Sequence, residues 1–375
     1  MRVLHVITGL NDGGAEAVLH RLVAHDPTDT HHVVSLMDDG KYGPLLRDAG
    51  AKVTALHMPR GRITLEGLRN LFRVTRSSNA DVVQTWLYHA DLLGGLAGRF
   101  AGIPVIWGVH NTTLEPGRSS KGTILVAKLC ARLSKRLPTK IVACAHAGVR
   151  IHAAMGYDAK RMIVIPNGYE LSRFAPNATA RARLRAEWGV QDDVPLLGMV
   201  ARFDPYKDHA NLITALGKLH ASGTDFHAVL VGTGIEGSNR ELAAQITSAG
   251  LSDNVRLLGQ RADIPEVMNA MDMHVLSSSA EAFPNVLAEA MACGTPCLTT
   301  NVGDASHIVG NTGWVVPPRD ADALSHGLSS ALLAWRNRTD WTERQLCARQ
   351  RISDYFSVDR MVDSYRSVWL SALKS

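Results

Sequence analysis

Short apolar runs rich in β-branched residues alternate with helical patterns along almost the whole chain. They fall into two series, one before residue 166 and one between residues 196 and 299. Short apolar strands separated by amphipathic helices are typical of parallel sheets covered by helices on both faces. The sequence therefore predicts an α/β chain with two doubly wound units. The predicted strands are Val3–Ile7, His32–Leu36, Val53–Leu56, Val82–Thr85, Val105–Val109, Ile141–Ala143 and Met162–Ile165, then Leu196–Val200, Ala228–Val231, Val255–Leu257, Met273–Leu276 and Pro296–Thr299.

A length of 375 residues exceeds one ordinary core and suits two domains. The segment 165–176 is rich in turn formers and is predicted to be the hinge. We therefore expect domains at 1–170 and 171–357, followed by a C-terminal helix at 358–375. Ligands of open α/β sheets bind beyond the carboxyl ends of the strands, so we expect the active site in a cleft between two facing units.

Several protein classes are disfavoured by the composition. No uncharged apolar stretch reaches about 18 residues, so no membrane span is expected. The apolar N-terminus lacks the pattern of a signal peptide, and five scattered cysteines suit reduced thiols in a cytoplasmic protein. Cys293 and Cys297 have no second pair, and His307 alone would not complete a zinc site, so no metal is expected.

The net charge of +5 is unevenly distributed. Residues 1–170 hold 21 basic and 13 acidic residues, whereas residues 171–375 hold 19 and 22. The basic half is expected to face an anionic partner. We favour an anionic membrane surface over nucleic acid, because no nucleic-acid-binding module accompanies the charge.

Two carboxylates flank a predicted helix start in the segment E-A-F-P-N-V-L-A-E. Pro284 and Asn285 suit the first residues of a helix. Glu281 then lies on the preceding loop and Glu289 one turn inside the helix. Both could accept hydrogen bonds from hydroxyl groups, and the free N–H groups near 283–286 could bind phosphate or sugar oxygens. The alternative is an amphipathic helix with Glu289 in solvent.

Two cations follow the predicted strand Leu196–Val200. Arg202 and Lys207 lie in the segment A-R-F-D-P-Y-K-D-H. A guanidinium and an ammonium close together suit a diphosphate and the charge that develops on it when it departs. A solvated surface pair is the alternative.

The first half offers two weaker candidates. Gly13 and Gly14 follow the first strand and precede a helix, where the backbone could approach a diphosphate closely. A simple tight turn explains them as well, and the pattern is not the G-x-G-x-x-G dinucleotide fingerprint. His110 ends another strand and could hydrogen-bond a transferred group or leaving phosphate, although most of the sixteen histidines are expected to be incidental.

These motifs together resemble the retaining family-4 glycosyltransferases over essentially the whole chain. The resemblance rests on the G-G-A-E turn, His110 with Asn111, A-R-F-D-P-Y-K-D-H and the carboxylate pair. It implies the GT-B fold, two facing Rossmann-like domains with an interdomain cleft. It also implies that the final helix crosses back onto the first domain.

The resemblance implies a role for each candidate residue. His110, Arg202, Lys207 and Glu281 would be catalytic, with the two cations on the diphosphate and Glu281 on the donor sugar. The residues implied to bind the rest of the donor are Gly13, Gly14, Arg261, Ile264, Phe283, Pro284, Asn285, Val286 and Glu289.

The implied reaction transfers a hexose from a UDP- or GDP-sugar with retention, without cofactor or metal. An Asp-x-Asp metal motif is matched only by Asp320 and Asp322, which helix capping explains better. The expected acceptor is a glycan, and the resemblance to exopolysaccharide and lipopolysaccharide assembly enzymes implies that it is lipid-linked. A GT-B epimerase or hydrolase, a transferase for a small soluble acceptor and a non-catalytic nucleotide-sugar-binding regulator remain alternatives.

A basic helix supports a membrane-bound acceptor. In 121–137 the residues Lys121, Lys128, Arg132 and Lys135 share one helical face, opposite an apolar side that includes Leu129. Such a face could attach a cytoplasmic protein to the inner surface of the membrane. The alternative is an ordinary helix packed on the first sheet.

Overall fold

The computed structural model describes residues 1–110 and 120–374. It divides into two compact units, one formed by 1–168 with the C-terminal helix and the other by 169–357. Each unit is built on one parallel sheet flanked by helices. No helix in the described ranges has both the length and the apolar character that crossing a bilayer requires.

The first unit contains a parallel sheet with seven strands among its described residues, in the order β3-β2-β1-β4-β5-β6-β7. The strands are β1 Arg2–Ile7, β2 Thr30–Ser35, β3 Lys52–Ala55, β4 Val82–Trp86, β5 Val105–Val109, β6 Lys140–Ala143 and β7 Met162–Val164. The helices are α1 Gly14–Ala24, α2 Tyr42–Asp48, α3 Leu65–Ser77, α4 Tyr88–Phe100, α5 Lys121–Leu133 and α6 His146–Ala154, with a 3₁₀ turn at Ala159–Arg161.

The second unit contains a parallel sheet with six strands, all in the described range, in the order β10-β9-β8-β11-β12-β13. The strands are β8 Leu196–Val200, β9 His227–Val231, β10 Val255–Leu257, β11 Met273–Leu276, β12 Cys297–Thr300 and β13 Trp314–Val316. The helices are α7 Ala178–Glu187, α8 His209–Ala221, α9 Arg240–Ser248, α10 Ile264–Ala270, α11 Asn285–Ala292, α12 Ala305–Val309, α13 Ala321–Arg336 and α14 Arg338–Phe356, with a 3₁₀ turn at Pro205–Lys207.

The last helix, α15 (Val358–Ala372), packs with the first unit although it follows the second in sequence. Tyr365 and Trp369 are fully buried in the same cluster as the β1 and β4 side chains. The Trp369 indole Nε1–H donates to Gln84 Oε1 on β4 at 3.1 Å. This helix therefore completes the core of the first unit.

The predicted doubly wound architecture is confirmed, and each of the twelve predicted strands is present with small differences in its ends. β13 was missed. It has three residues at the edge of the sheet, and two of them are only partly buried or exposed, so it lacks the continuous apolar run of a central strand.

Both strand orders reverse direction at one place, between β1 and β4 and between β8 and β11. Loops that leave neighbouring strands on opposite faces open a crevice at such a point. The segments that follow these strands are therefore the places in each unit where a ligand site is expected.

Candidate functional site

Lys207 and Glu281 meet at the reversal point of the second sheet. Lys207 lies after β8 and Glu281 after β11, and these strands are neighbours. The Lys207 Nζ is 2.5 Å from Glu281 Oε1, and both side chains are largely buried. Ser278 Oγ donates to the same Oε1 at 2.7 Å. Among the described residues Oε2 receives no hydrogen bond, so it is available to a ligand hydroxyl.

Backbone and hydroxyl contacts fix the two loops against each other. The Ser279 N–H donates to Tyr206 O at 2.7 Å, and Ser277 Oγ donates to Lys207 O at 2.9 Å. Asp208 adopts the left-handed conformation at φ +50° and caps α8 through Asn211 N–H. These contacts between the loops after β8 and β11 therefore help to position Lys207 and Glu281 for the ion pair.

A third loop, after β12, supports Glu281 from behind. The Asp304 N–H donates to Ala282 O at 3.0 Å. Gly303 has φ +54°, and a Cβ built there would lie 2.4 Å from Ala282 O and 2.5 Å from Glu281 O. Only glycine allows this approach, because real Cβ atoms essentially never come so close.

Two buried histidines lie near Lys207. His274 on β11 accepts a hydrogen bond from Val200 N–H at 3.2 Å through Nε2. Burial, with a smaller contribution from the Lys207 charge, lowers the pKa of His274 to about 3 and that of His209 to about 4. Both rings are therefore neutral at pH 7, and Lys207 supplies the positive charge in this region.

Arg202 does not join the Lys207–Glu281 pair. Its side chain is 67% exposed, and its Nε lies 3.4 Å from Asp204 Oδ2. The predicted pair of cations is therefore close in sequence, but only Lys207 contacts a predicted carboxylate. Because so much of it is in solvent, the Arg202 guanidinium can change rotamer at small cost.

Helix α11 begins where the sequence predicted, beside Glu281. Pro284 is the residue before the first turn, and no side chain caps this end within the described structure. Asn285 Oδ1 accepts a hydrogen bond from Tyr169 O–H at 2.5 Å. Glu289 is half-buried in the second turn, and Phe283 is buried against Phe356. Backbone N–H groups of the first turn, including Val286, are the expected anion-binding groups of this end.

Arg261 lies on a separate loop after β10. Its guanidinium makes a two-point contact with Asp263 at 2.8 and 2.6 Å, which raises the pKa of Arg261 and lowers that of Asp263. Arg261 also lies over the Trp188 ring, and Ile264 begins α10 immediately afterwards. Nothing in the described structure joins these two residues to Lys207 or Glu281 directly.

The predicted residues of the first unit follow β1 and β5. Gly13 precedes α1 in an extended conformation that any residue can adopt, and a Cβ on Gly14 would meet nothing within 4 Å. His110 directly follows β5, and its ring stacks on Trp86 at 4.9 Å between centroids. Asn111, which belongs to the same predicted motif, lies outside the described residues.

The other sequence candidates have structural explanations. Asp320 accepts a hydrogen bond from Ala323 N–H and caps α13, as expected, while Asp322 pairs with Lys218. No group of three potential metal ligands occurs among the residues that the structure describes. The five cysteines are free thiols.

Helix α5 presents a mixed basic and apolar surface. Lys121, Lys128 and Arg132 are exposed, and so are Leu125 (68%) and Leu129 (40%). The buried residues of the helix are Ala127, Cys130 and Ala131, so Leu129, on the predicted apolar side, is exposed. A groove of about 470 Å³ beside the helix is lined by Lys128, Ala131, Arg132, Lys135, Met155 and Gly156.

Comparison with known proteins identifies the family. Residues 12–173 match Glycosyltransferase Family 4, and residues 180–345 match Glycosyl transferases group 1. EpsF of Bacillus subtilis (strain 168), which carries a provisional glycosyltransferase name, is 31% identical over 80% of this chain and 79% of its own. An Escherichia coli UDP-Gal:α-D-GlcNAc-diphosphoundecaprenol α-1,3-galactosyltransferase is 27% identical over 70% of this chain and 69% of its own.

Solved structures show the same fold. Anabaena Alr3699/HepE, crystallised with UDP and glucose, superposes with a TM-score of 0.82 at 23% identity, covering 99% of this chain and all of that one. A Rickettsia africae glycosyltransferase gives 0.84 at 19% identity, covering 100% and 99%. The chain therefore has the GT-B fold and belongs to the family-4 glycosyltransferases, within the group 1 glycosyl transferases.

Sequence reasoning missed several residues that shape the site. Ser277–Ser279 and Gly303 follow the predicted strands that became β11 and β12. Their position after a strand is the signal by which the sequence could have identified them. Trp86, on which His110 stacks, directly follows the predicted strand Val82–Thr85. His209 and His274 gave no signal, because sixteen histidines are spread along the chain.

Proposed function

We propose that this protein transfers a hexose from a UDP- or GDP-sugar to a glycan acceptor, with retention at the anomeric carbon. The observation that carries the proposal is the Lys207–Glu281 pair at the reversal point of the second sheet, next to the uncapped start of α11. A cation, a carboxylate and the N-terminal end of a helix match the diphosphate and hydroxyl groups of such a donor. The Escherichia coli relative is named for a UDP-sugar donor.

Each residue has a proposed role toward the donor. Lys207, assisted by Arg202, binds the diphosphate, and Glu281 binds the sugar hydroxyls. Glu289 binds the ribose, and the backbone of 283–286 binds phosphate and sugar oxygens. Arg261 and Ile264 lie beside the base, Gly13 and Gly14 leave room for the diphosphate, and His110 contacts the transferred sugar.

The proposed mechanism is a front-face displacement. The bond between the anomeric carbon and the diphosphate oxygen breaks, the acceptor hydroxyl bonds to the same face of that carbon, and its proton passes to the departing phosphate oxygen. Lys207 stabilises the negative charge that develops on the diphosphate. Such electrostatic stabilisation by a preorganised group is usually the largest single contribution to the rate enhancement. This scheme requires neither a protein nucleophile nor a metal.

Incubation with UDP- and GDP-sugars tests this function. We expect one nucleotide sugar to raise the melting temperature, since a ligand at 100 times its Kd stabilises a protein by about 2.7 kcal/mol. That donor should yield a glycoside whose anomeric configuration matches the donor by NMR, with or without EDTA. Free sugar or an epimerised nucleotide sugar as the main product would instead indicate the hydrolase or epimerase alternative.

We further propose that the acceptor is lipid-linked and that α5 attaches the protein to the cytoplasmic membrane surface. Exposed leucines beside exposed cations suit the boundary between headgroups and acyl chains. The adjacent basic groove could hold a lipid phosphate. The Escherichia coli relative is named for a diphosphoundecaprenol acceptor.

Vesicle sedimentation tests this attachment. Vesicles of phosphatidylethanolamine should bind the protein only when phosphatidylglycerol is included. The double change Lys128→Gln with Arg132→Gln should weaken binding at least tenfold, because each basic residue near an anionic surface contributes about 1 kcal/mol. Lys218→Gln, on the other unit, is the control and should not change binding. Equal binding by all three proteins would contradict the proposal.

A further inference from the structure

The His110 ring stacks on an aromatic side chain that belongs to a neighbouring strand. Trp86 is the last residue of β4 and is fully buried. The imidazole and indole planes are 18° apart, with 4.9 Å between ring centroids. The flat face of Trp86 therefore restricts the tilt of the His110 ring.

A chain of buried hydrogen bonds fixes Trp86 in turn. Its indole Nε1–H donates to His5 Nδ1 at 3.2 Å, and His5 Nε2 lies 3.0 Å from His31 Nδ1. Because the indole nitrogen can only donate, His5 carries its proton on Nε2 and donates to His31. His31 Nε2 then points toward Asp26 Oδ2, 3.4 Å away. Burial lowers the pKa of both histidines, so the neutral forms that this direction requires are the stable ones.

The C-terminal helix braces the same ring. Tyr365 on α15 stacks on Trp86 with 5.7 Å between centroids and 27° between planes. Trp369, one turn later, is anchored to Gln84 on β4. The support of His110 therefore includes residues from both ends of the chain.

We propose that Trp86 is a positioning residue for His110, setting the plane of its imidazole and excluding water from beneath it, with Tyr365 as the brace. The inference rests on the proposed contact of His110 with the transferred sugar. His110 Nε2 is buried and has no hydrogen-bond partner among the described residues. Burial lowers the pKa of His110 to about 4, and the neutral ring can donate an N–H at physiological pH.

Among the residues that the structure describes, few titratable groups face this stack. His5, on β1, contacts the Trp86 ring, and Tyr365, on α15, stacks on it. Cys144, after β6, donates through Sγ to His110 O at 3.9 Å. Burial is the only cause that lowers the pKa of His110. Removing the indole should therefore admit water and return the pKa toward 6.5.

Trp86→Leu tests the proposal, with Trp107→Leu as the control. Trp107 is equally buried in the same sheet, but it belongs to a different core cluster and does not stack on His110. NMR titration of the His110 ring should show a pKa rise of at least one unit in Trp86→Leu and no rise in Trp107→Leu. This readout requires no turnover, so it remains valid if the proposed function fails.

Kinetics separate positioning from general destabilisation. We expect Trp86→Leu to lower kcat at least tenfold with little change in donor KM, and to add an acid limb near pH 6. Trp86→Phe should restore most of kcat because it keeps a flat ring. In a His110→Ala background, Trp86→Leu should cause no further loss.

The outcomes distinguish the two hypotheses. If His110→Ala transfers sugar normally, the proposed role of His110 is wrong. If His110→Ala is impaired but Trp86→Leu lowers kcat equally in both backgrounds, or leaves the His110 pKa unchanged, Trp86 does not act through His110 and the inference is overturned.

Discussion

Replacing Lys207 with methionine should lower kcat/KM by about 10²- to 10³-fold, the effect typical of losing one preorganised group that stabilises transition-state charge. Methionine keeps most of the length of the side chain and removes the ammonium. The loss should appear mainly in kcat, because the charge on the diphosphate is greatest as it departs. Steady-state kinetics with the identified donor would measure it.

Lys218→Met is the matched control for this change. Lys218 also pairs with a carboxylate in the second unit, but both Lys218 and Asp322 are exposed. Exposed pairs contribute about 0–1 kcal/mol to stability, so this variant should fold and turn over like the wild type. Similar activity of Lys207→Met and Lys218→Met would show that Lys207 is not part of the catalytic site.

Gly303→Ala should reduce activity by about 10²-fold, the scale expected when a catalytic group is displaced by about 1 Å. The added methyl would collide with the carbonyl oxygens of Ala282 and Glu281, so the loop that carries Glu281 must move. The left-handed backbone at this position should cost a further ~1–2 kcal/mol of stability. Kinetics and thermal unfolding measure the two effects separately.

Gly250→Ala separates the collision from the backbone strain. Gly250 has φ +71°, but a Cβ there would meet nothing within 4 Å. It should lose similar stability from strain and keep normal activity. If the two alanine variants have equal kcat/KM, the β12–α12 loop does not position Glu281.

The fold was predictable from the sequence because its signal is repeated and local. Each central strand is a short apolar run between helices, and burial on both faces requires that pattern. β13 was not predictable in this way, since an edge strand of three residues needs little apolar character. The place of α15 was implied by family resemblance alone.

The site was predictable only in part. Lys207 and Glu281 follow strands of one parallel sheet, so their loops must emerge at the same edge. The contact between them, however, depends on β8 and β11 being neighbours, which the order of strands in sequence does not reveal. The outward direction of Arg202 and the ring stack beneath His110 depend on side-chain packing, which no motif encodes.

The central claim is that Lys207 and its loop bind the diphosphate of a nucleotide sugar. Calorimetric titration tests it with UDP, GDP and the nucleosides uridine and guanosine, using wild type and Lys207→Met. We predict that one diphosphate binds the wild type, that its nucleoside binds much more weakly, and that Lys207→Met lowers affinity for the diphosphate at least tenfold while leaving the nucleoside unaffected. Equal diphosphate affinity in both proteins, or no binding of either diphosphate, would contradict the claim.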